Sequence, residues 1–175
     1  MESNIVKRLI SSFILIPIAL FFIITGSYFF YFFIMVYFLL ASYEWHKMTF
    51  KKKYYIPGLL FILISCFVTV KFRGHSNEEL YLFLSVIIIC IFTDIGGYIF
   101  GKTFKGPKIA KKISPNKTYS GVFGSYFLSI LSILIFTNYG EALNQDFVSY
   151  KFNKYDFIAV LILSTVSQAG DLIIS

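Results

Sequence analysis

Long apolar runs recur along this chain, and nothing constrains its fold more. A helix needs about 20 residues to cross the hydrocarbon core of a bilayer. The runs near 9–25, 27–44, 56–71, 80–101, 120–139 and 156–175 reach or approach that length, the third being the shortest. Residues 29–40, FFYFFIMVYFLL, show none of the polar alternation that a transmembrane β-strand requires, so the runs read as helices. At 175 residues, 57% hydrophobic and 21% aromatic, the chain carries more apolar surface than a single soluble core can hide. The expected fold is therefore all-α. We expect a polytopic integral membrane protein of about six transmembrane helices in a single membrane domain, 1–175, with N-terminal spans in 1–79 and the remaining spans and a basic loop in 80–175.

Charge placement gives an orientation. With the N-terminus inside, the inner segments carry Lys7, Arg8, Lys47, Lys51, Lys52, Lys53, Lys102, Lys105, Lys108, Lys111, Lys112 and Lys117. The outer loops carry Lys71, Arg73, Lys151 and Lys154, beside Glu78, Glu79, Glu141, Asp146 and Asp156. Twelve basic residues against four predict a cytoplasmic N-terminus, and six spans return the C-terminus to the same side. The same placement accounts for the net charge of +7 without a nucleic-acid footprint, because no basic stripe with interleaved aromatics lies outside the apolar runs. Lys7 and Arg8 before an apolar run also fit a signal peptide, but a second run follows at once with no small-residue cleavage site, so a first span is expected. Trp45 and Tyr43 beside Lys51–Lys53 form an interfacial anchor in this reading, with His46 an interfacial polar residue and His75 in a short outer loop. Cys66 and Cys90 lack metal-ligand spacing and read as small buried hydrophobes.

The segment 94–121, DIGGYIFGKTFKGPKIAKKISPNKTYSG, does more than cross a membrane. Asp94 lies fourteen residues beyond Leu80, about 21 Å along a helix, where a carboxylate costs roughly 2.5–3.5 kcal/mol on insertion scales. Such an acid faces a polar cavity, a cation or a proton path. Gly97 and Gly101 in a G-x-x-x-G spacing serve either close helix packing or the approach of a ligand to the backbone. Ser114-Pro115-Asn116-Lys117-Thr118 reads as a helix start, with capping residues and a proline tolerated in the first turn. Free N–H groups there, beside Lys117, suit phosphate. Lys117-Thr118 matches the end of a P-loop, but the preceding glycines are absent and no strand is expected to lead in, so it is not a Walker motif.

A second carboxylate stands in the last apolar run. Ser164, Gln168, Asp171 and Ser175 are spaced four, three and four, which sets them on one helix face, with Gly170 beside the acid. Asp171 lies fourteen residues from Phe157, so both acids are expected at similar depth in one shared site. Two carboxylates with phosphate nearby point to Mg²⁺.

Three segments then carry a resemblance. DIGGYIFGK at 94–102, SPNKTYSG at 114–121 and SQAGDL at 167–172 resemble the phosphatidate cytidylyltransferase (CDP-diacylglycerol synthase) family, in that family's order and approximate spacing. The likeness covers 90–175 well and the N-terminal spans by general pattern. It implies transfer of a cytidylyl group from CTP to phosphatidate with Mg²⁺ required, in phospholipid synthesis at the cytoplasmic face of a bacterial-type inner membrane. It implies Asp171 and Asp94 as metal ligands and Asp171 and Lys117 as catalytic residues. Ser114, Lys117, Thr118, Gly121 and Gln168 would hold phosphate or substrate. A homodimer is also expected.

Two departures accompany the likeness. The family usually has an acid where this chain has Ser120. Its longest signature begins at the serine matching Ser175 and continues through a Lys-Arg pair, further carboxylates and a His-Gly-Gly segment. On that basis a truncated or split member with weak or absent activity is expected. The alternatives are a non-catalytic membrane remnant, a CTP-dependent lipid kinase, and an ion- or proton-coupled transporter using Asp94 and Asp171, against which the lack of internal symmetry counts.

Overall fold

The computed structural model describes residues 2–110, 114–143 and 153–174. Lys111, Lys112, Asp146, Lys151 and Ser175 lie outside them. Six helices account for nearly all of the described chain: α1 Glu2–Thr25, α2 Ser27–Thr49, α3 Tyr55–Arg73, α4 Asn77–Phe104, α5 Tyr119–Leu143 and α6 Lys154–Ile174. Each falls on one of the apolar runs. Among the described residues, α2, α3, α4 and the 119–138 part of α5 are long and apolar enough to cross a membrane, and α1 contributes a shorter apolar helix, Phe13–Thr25. The chain is a multi-pass, all-α membrane protein, with four spans by this standard among the described residues. Its helices present Phe13, Tyr28, Phe61 and Phe67 largely uncovered by protein, as lipid-facing side chains are.

The chain divides into two compact units at Leu80. The first, Met1–Leu80, packs α1, α2 and α3 in sequence. Arg73, at the end of α3, is 6% exposed and donates from Nε and Nη2 to the Ile23 carbonyl at 3.0 and 2.9 Å. Nη2 also reaches the Ile24 carbonyl at 3.2 Å. These carbonyls end α1 and have no partner within the helix, so the guanidinium satisfies them and meets the negative end of the helix dipole. Arg73 is thus a buried helix cap. Gly26, at φ +64°, leaves the space this cation occupies: a Cβ there would stand 2.5 Å from Nη2.

At the other end of α2, Trp45 is folded onto α3. Its Nε1 donates to the Tyr55 carbonyl at 2.9 Å and its ring fills the notch left by Gly58. His46 Nδ1 lies 3.1 Å from the Tyr55 hydroxyl. Lys51–Lys53 remain exposed at the turn. Helix α4 starts with a capping box: the Glu79 N–H donates to Ser76 Oγ at 3.1 Å, while Glu79 Oε2 accepts from the Ser76 and His75 N–H groups at 3.0 and 2.8 Å.

The second unit, Tyr81–Ser175, holds the rest of α4, a two-stranded hairpin, α5 and α6. Its apolar centre is Ile89 on α4, Ile133 on α5 and Val160 on α6. Here one expectation is corrected. Ser114–Thr118 is not the first turn of a helix but strand β2, paired antiparallel with β1, Lys108–Ala110, with Lys108 opposite Thr118 and Ala110 opposite Ser114. Helix α5 starts one residue later, at Tyr119, with Thr118 as its cap: the Gly121 N–H donates to Thr118 Oγ1 at 3.2 Å. A strand therefore does lead into this helix, although the P-loop glycines remain absent. Proline fits because a two-stranded ribbon consists only of edges.

Candidate active site

A cavity of about 350 Å³ opens within the second unit. Four elements line it: Thr93, Asp94, Gly97 and Tyr98 from α4; Ser114, Lys117 and Thr118 from β2; Gly121, Val122 and Ser125 from α5; and Gln168 and Asp171 from α6. All seven residues singled out from sequence (Asp94, Ser114, Lys117, Thr118, Gly121, Gln168 and Asp171) stand on its wall. The two acids, reached by counting fourteen residues along separate helices, line one chamber.

The approach of α4 to α5 depends on missing side chains. A Cβ on Gly96 would lie 2.4 Å from the Gly124 carbonyl oxygen, and one on Gly121 would lie 2.8 Å from the Gly97 oxygen. Helix packing thus accounts for these glycines. Gly97 does one thing more. A Cβ there would stand 2.8 Å from Ser125 Oγ, the hydroxyl that donates to the Thr93 carbonyl at 2.7 Å. Backbone contact and buried polar contact are therefore made possible by the same small residues.

Charge in the cavity is arranged around Lys117. Its Nζ donates to Asp171 Oδ2 and to the Gln168 carbonyl, each at 3.2 Å. Lys117 is 26% exposed and Asp171 54%, so the pair stands at the mouth and not in a dry core. Asp94 Oδ1 accepts from Ser167 Oγ at 3.4 Å. The other loop lysines among the described residues are arranged otherwise. Lys102 leans back to the Tyr98 hydroxyl at 3.4 Å, and Lys105 and Lys108 are exposed away from the lining. Ser120, where the resembled family has an acid, donates to the Lys105 carbonyl and contacts Thr118 Oγ1, closing the turn between α4 and α5.

Thr93, Tyr98, Val122 and Ser125 on the cavity wall, and Ser167 through its contact with Asp94, are residues that sequence reasoning does not single out. Serines and threonines also back-bond within their own helices, so a hydroxyl inside an apolar run gives no local sign of facing a cavity. The available signal is proximity: Thr93 precedes Asp94, and Ser167 precedes Gln168 in the SQAGDL motif.

Among the described residues, no group of three or more His, Cys, Asp or Glu side chains forms a self-sufficient metal centre. Asp94 and Asp171 are the carboxylates on this wall, and two carboxylates leave positions for substrate oxygens and water in the shell of a hard cation.

The profile of the cytidylyltransferase family matches residues 6–73 and 57–175, together nearly the whole chain. A phosphatidate cytidylyltransferase of Rickettsia conorii is 32% identical over 183 residues, covering 99% of this chain and 75% of its own length. One from Rickettsia felis is 31% identical over the same length, with 99% and 76% covered. One from Staphylococcus aureus is 35% identical over 103 residues, 58% of this chain and 36% of that protein. No solved structure matches the chain.

Proposed function

The chain belongs to the cytidylyltransferase family, and from that premise we propose that it is a phosphatidate cytidylyltransferase, converting CTP and phosphatidate to CDP-diacylglycerol and pyrophosphate. The observation that carries the reading is the Lys117–Asp171 contact on the wall of a cavity that Asp94 also lines. A phosphate oxygen of phosphatidate attacks the α-phosphorus of CTP. The bond from that phosphorus to the bridging oxygen breaks, and its electron pair leaves with pyrophosphate. Nucleotidyl transfer of this kind asks a protein mainly for positioning and neutralisation of developing charge.

The residues divide that work. Lys117, held by Asp171 and the Gln168 carbonyl, presents its ammonium to the incoming phosphates, and Ser114 and Thr118 line the same wall with hydroxyl groups. Gly121 lets α4 pack against the wall that carries Thr118, and Gln168 fixes Lys117 through its carbonyl. Asp94 and Asp171 would hold Mg²⁺, which supplies further neutralisation of the phosphates when bound. Twelve of sixteen basic residues on one side of the predicted spans support a cytoplasmic site in a bacterial inner membrane, where CTP is available and the lipid arrives laterally.

The test is a membrane assay with labelled CTP, phosphatidate and Mg²⁺. Lipid-linked cytidylate from membranes carrying this chain is expected, and free pyrophosphate should appear in equal amount. Absence of lipid-linked label in membranes that contain the folded chain would refute the proposal.

A further inference from the structure

Thr93 and Ser164 are both fully buried, and Thr93 Oγ1 donates to Ser164 Oγ at 3.1 Å. They lie in the same unit as the apolar contacts of Ile89, Ile133 and Val160, where packing alone could be served by Val and Ala. A hydroxyl is costly to bury unless it is hydrogen-bonded, and dispersion between apolar helix faces is not directional. What this bond adds is a fixed register between α4 and α6.

That register bears on the cavity at both ends. Thr93 immediately precedes Asp94, and its carbonyl is also held by Ser125 from α5 at 2.7 Å. Ser164 lies two turns before Asp171 on the same face of α6. Between them Gln168 Nε2 donates to Ser164 Oγ at 3.3 Å, and the Gln168 carbonyl accepts from Lys117, which in turn meets Asp171. A continuous line of contacts thus runs from the base of Asp94 to the carboxylate of Asp171.

We propose that Thr93 and Ser164 are a positioning pair: their hydrogen bond sets the separation of Asp94 and Asp171 and so determines how tightly the two carboxylates bind a divalent cation. The proposal rests on the reading of those two acids as cation ligands. It assigns neither hydroxyl a contact with substrate. Groups that orient metal ligands from behind typically change metal affinity about 10–100-fold when removed.

The experiment is a Mn²⁺ titration of the purified full chain in detergent, read by EPR without substrate. Thr93→Val, which keeps the shape and removes the hydroxyl, should weaken Mn²⁺ binding about tenfold. Thr93→Ser should restore it. Ser164→Ala removes the bond from the other helix and should reproduce the loss even if Thr93→Val does not fold. The double variant should be no weaker than Ser164→Ala alone, because the bond that Thr93→Val removes is already lost with the Ser164 hydroxyl. If Asp171→Asn abolishes Mn²⁺ binding while Thr93→Val and Ser164→Ala bind as wild type, the positioning role is overturned and the carboxylate reading stands. If the wild-type chain binds no Mn²⁺, both fail together. A Thr93→Ser variant as weak as Thr93→Val also overturns the proposal, since loss of packing and not of the hydroxyl would then be the cause.

Discussion

Lys117 Nζ stands 3.2 Å from Asp171 Oδ2, joining strand β2 to helix α6 across 54 positions of sequence. Because neither group is deeply buried, the pair contributes little to stability, about 0–1 kcal/mol. Its value lies in the cavity, where the ammonium is held in place before phosphate arrives. Lys117→Met should therefore leave thermal unfolding in detergent nearly unchanged while lowering cytidylyl transfer by about 10²-fold or more, the usual effect of removing one charge-stabilising group. Lys117→Arg keeps the charge but not its position and should recover only part of the rate. A large drop in melting temperature for Lys117→Met would show that the contact is structural instead.

The glycines of α4, α5 and α6 separate into required and dispensable ones. Gly96→Ala places a methyl 2.4 Å from the Gly124 carbonyl, and Gly124→Ala places one 2.3 Å from Phe100 Cβ. Each forces the helices apart, at a cost of about 1–3 kcal/mol as in other overpacked sites. Gly170, although next to Asp171, faces open space: a methyl added there would meet nothing within 4 Å. Gly170→Ala should be tolerated, and stabilising by about 0.5–1 kcal/mol through helix propensity. Melting temperatures of the three variants, measured in one detergent, decide this; equal losses in all three would contradict the packing account.

What can be read from sequence follows a physical line. The helices are legible because each is an unbroken apolar run, and a run of that kind needs no tertiary information. The meeting of Asp94 and Asp171 is legible because helical rise converts residue counts into depth. Ser114–Thr118 looks like a helix start because its serine and proline are local signals, whereas pairing with Lys108–Ala110 is a contact that local signals do not contain. The Thr93–Ser164 bond is invisible for the same reason: it joins positions 71 apart, and both hydroxyls look incidental in their own helices. Arg73 counts toward orientation, but nothing in its sequence neighbourhood announces that it caps α1.

That cap can be tested by its geometry. One planar guanidinium serves the Ile23, Ile24 and Gly74 carbonyls, with the Gly74 bond at 3.0 Å. A lysine ammonium cannot reproduce this planar fork. Arg73→Met leaves buried carbonyls without a donor and should destabilise by about 1–3 kcal/mol, with Arg73→Lys intermediate. Unfolding in detergent, or proteolysis of the α1–α2 turn, reads the effect. An Arg73→Lys variant as stable as wild type would show that charge at the helix end suffices and the fork is not needed.

Asp94 and Asp171 are not equivalent, and their asparagine variants should differ. Asp171 already holds Lys117, whereas Asp94 is met by the Ser167 hydroxyl, which an asparagine carbonyl can still accept. Asp94→Asn therefore removes charge while keeping the contact that orients the side chain. Its activity should fall but recover in part as Mg²⁺ is raised, because one carboxylate and the substrate phosphates can still share the cation. Asp171→Asn removes a cation ligand and also releases Lys117 from its position, so raising Mg²⁺ should restore almost nothing. Cytidylyl transfer measured across a Mg²⁺ series for both variants separates these outcomes. Full activity in Asp171→Asn would refute the metal assignment, and an Asp94→Asn variant indifferent to Mg²⁺ would remove Asp94 from the cation site while leaving the Lys117–Asp171 pair in place.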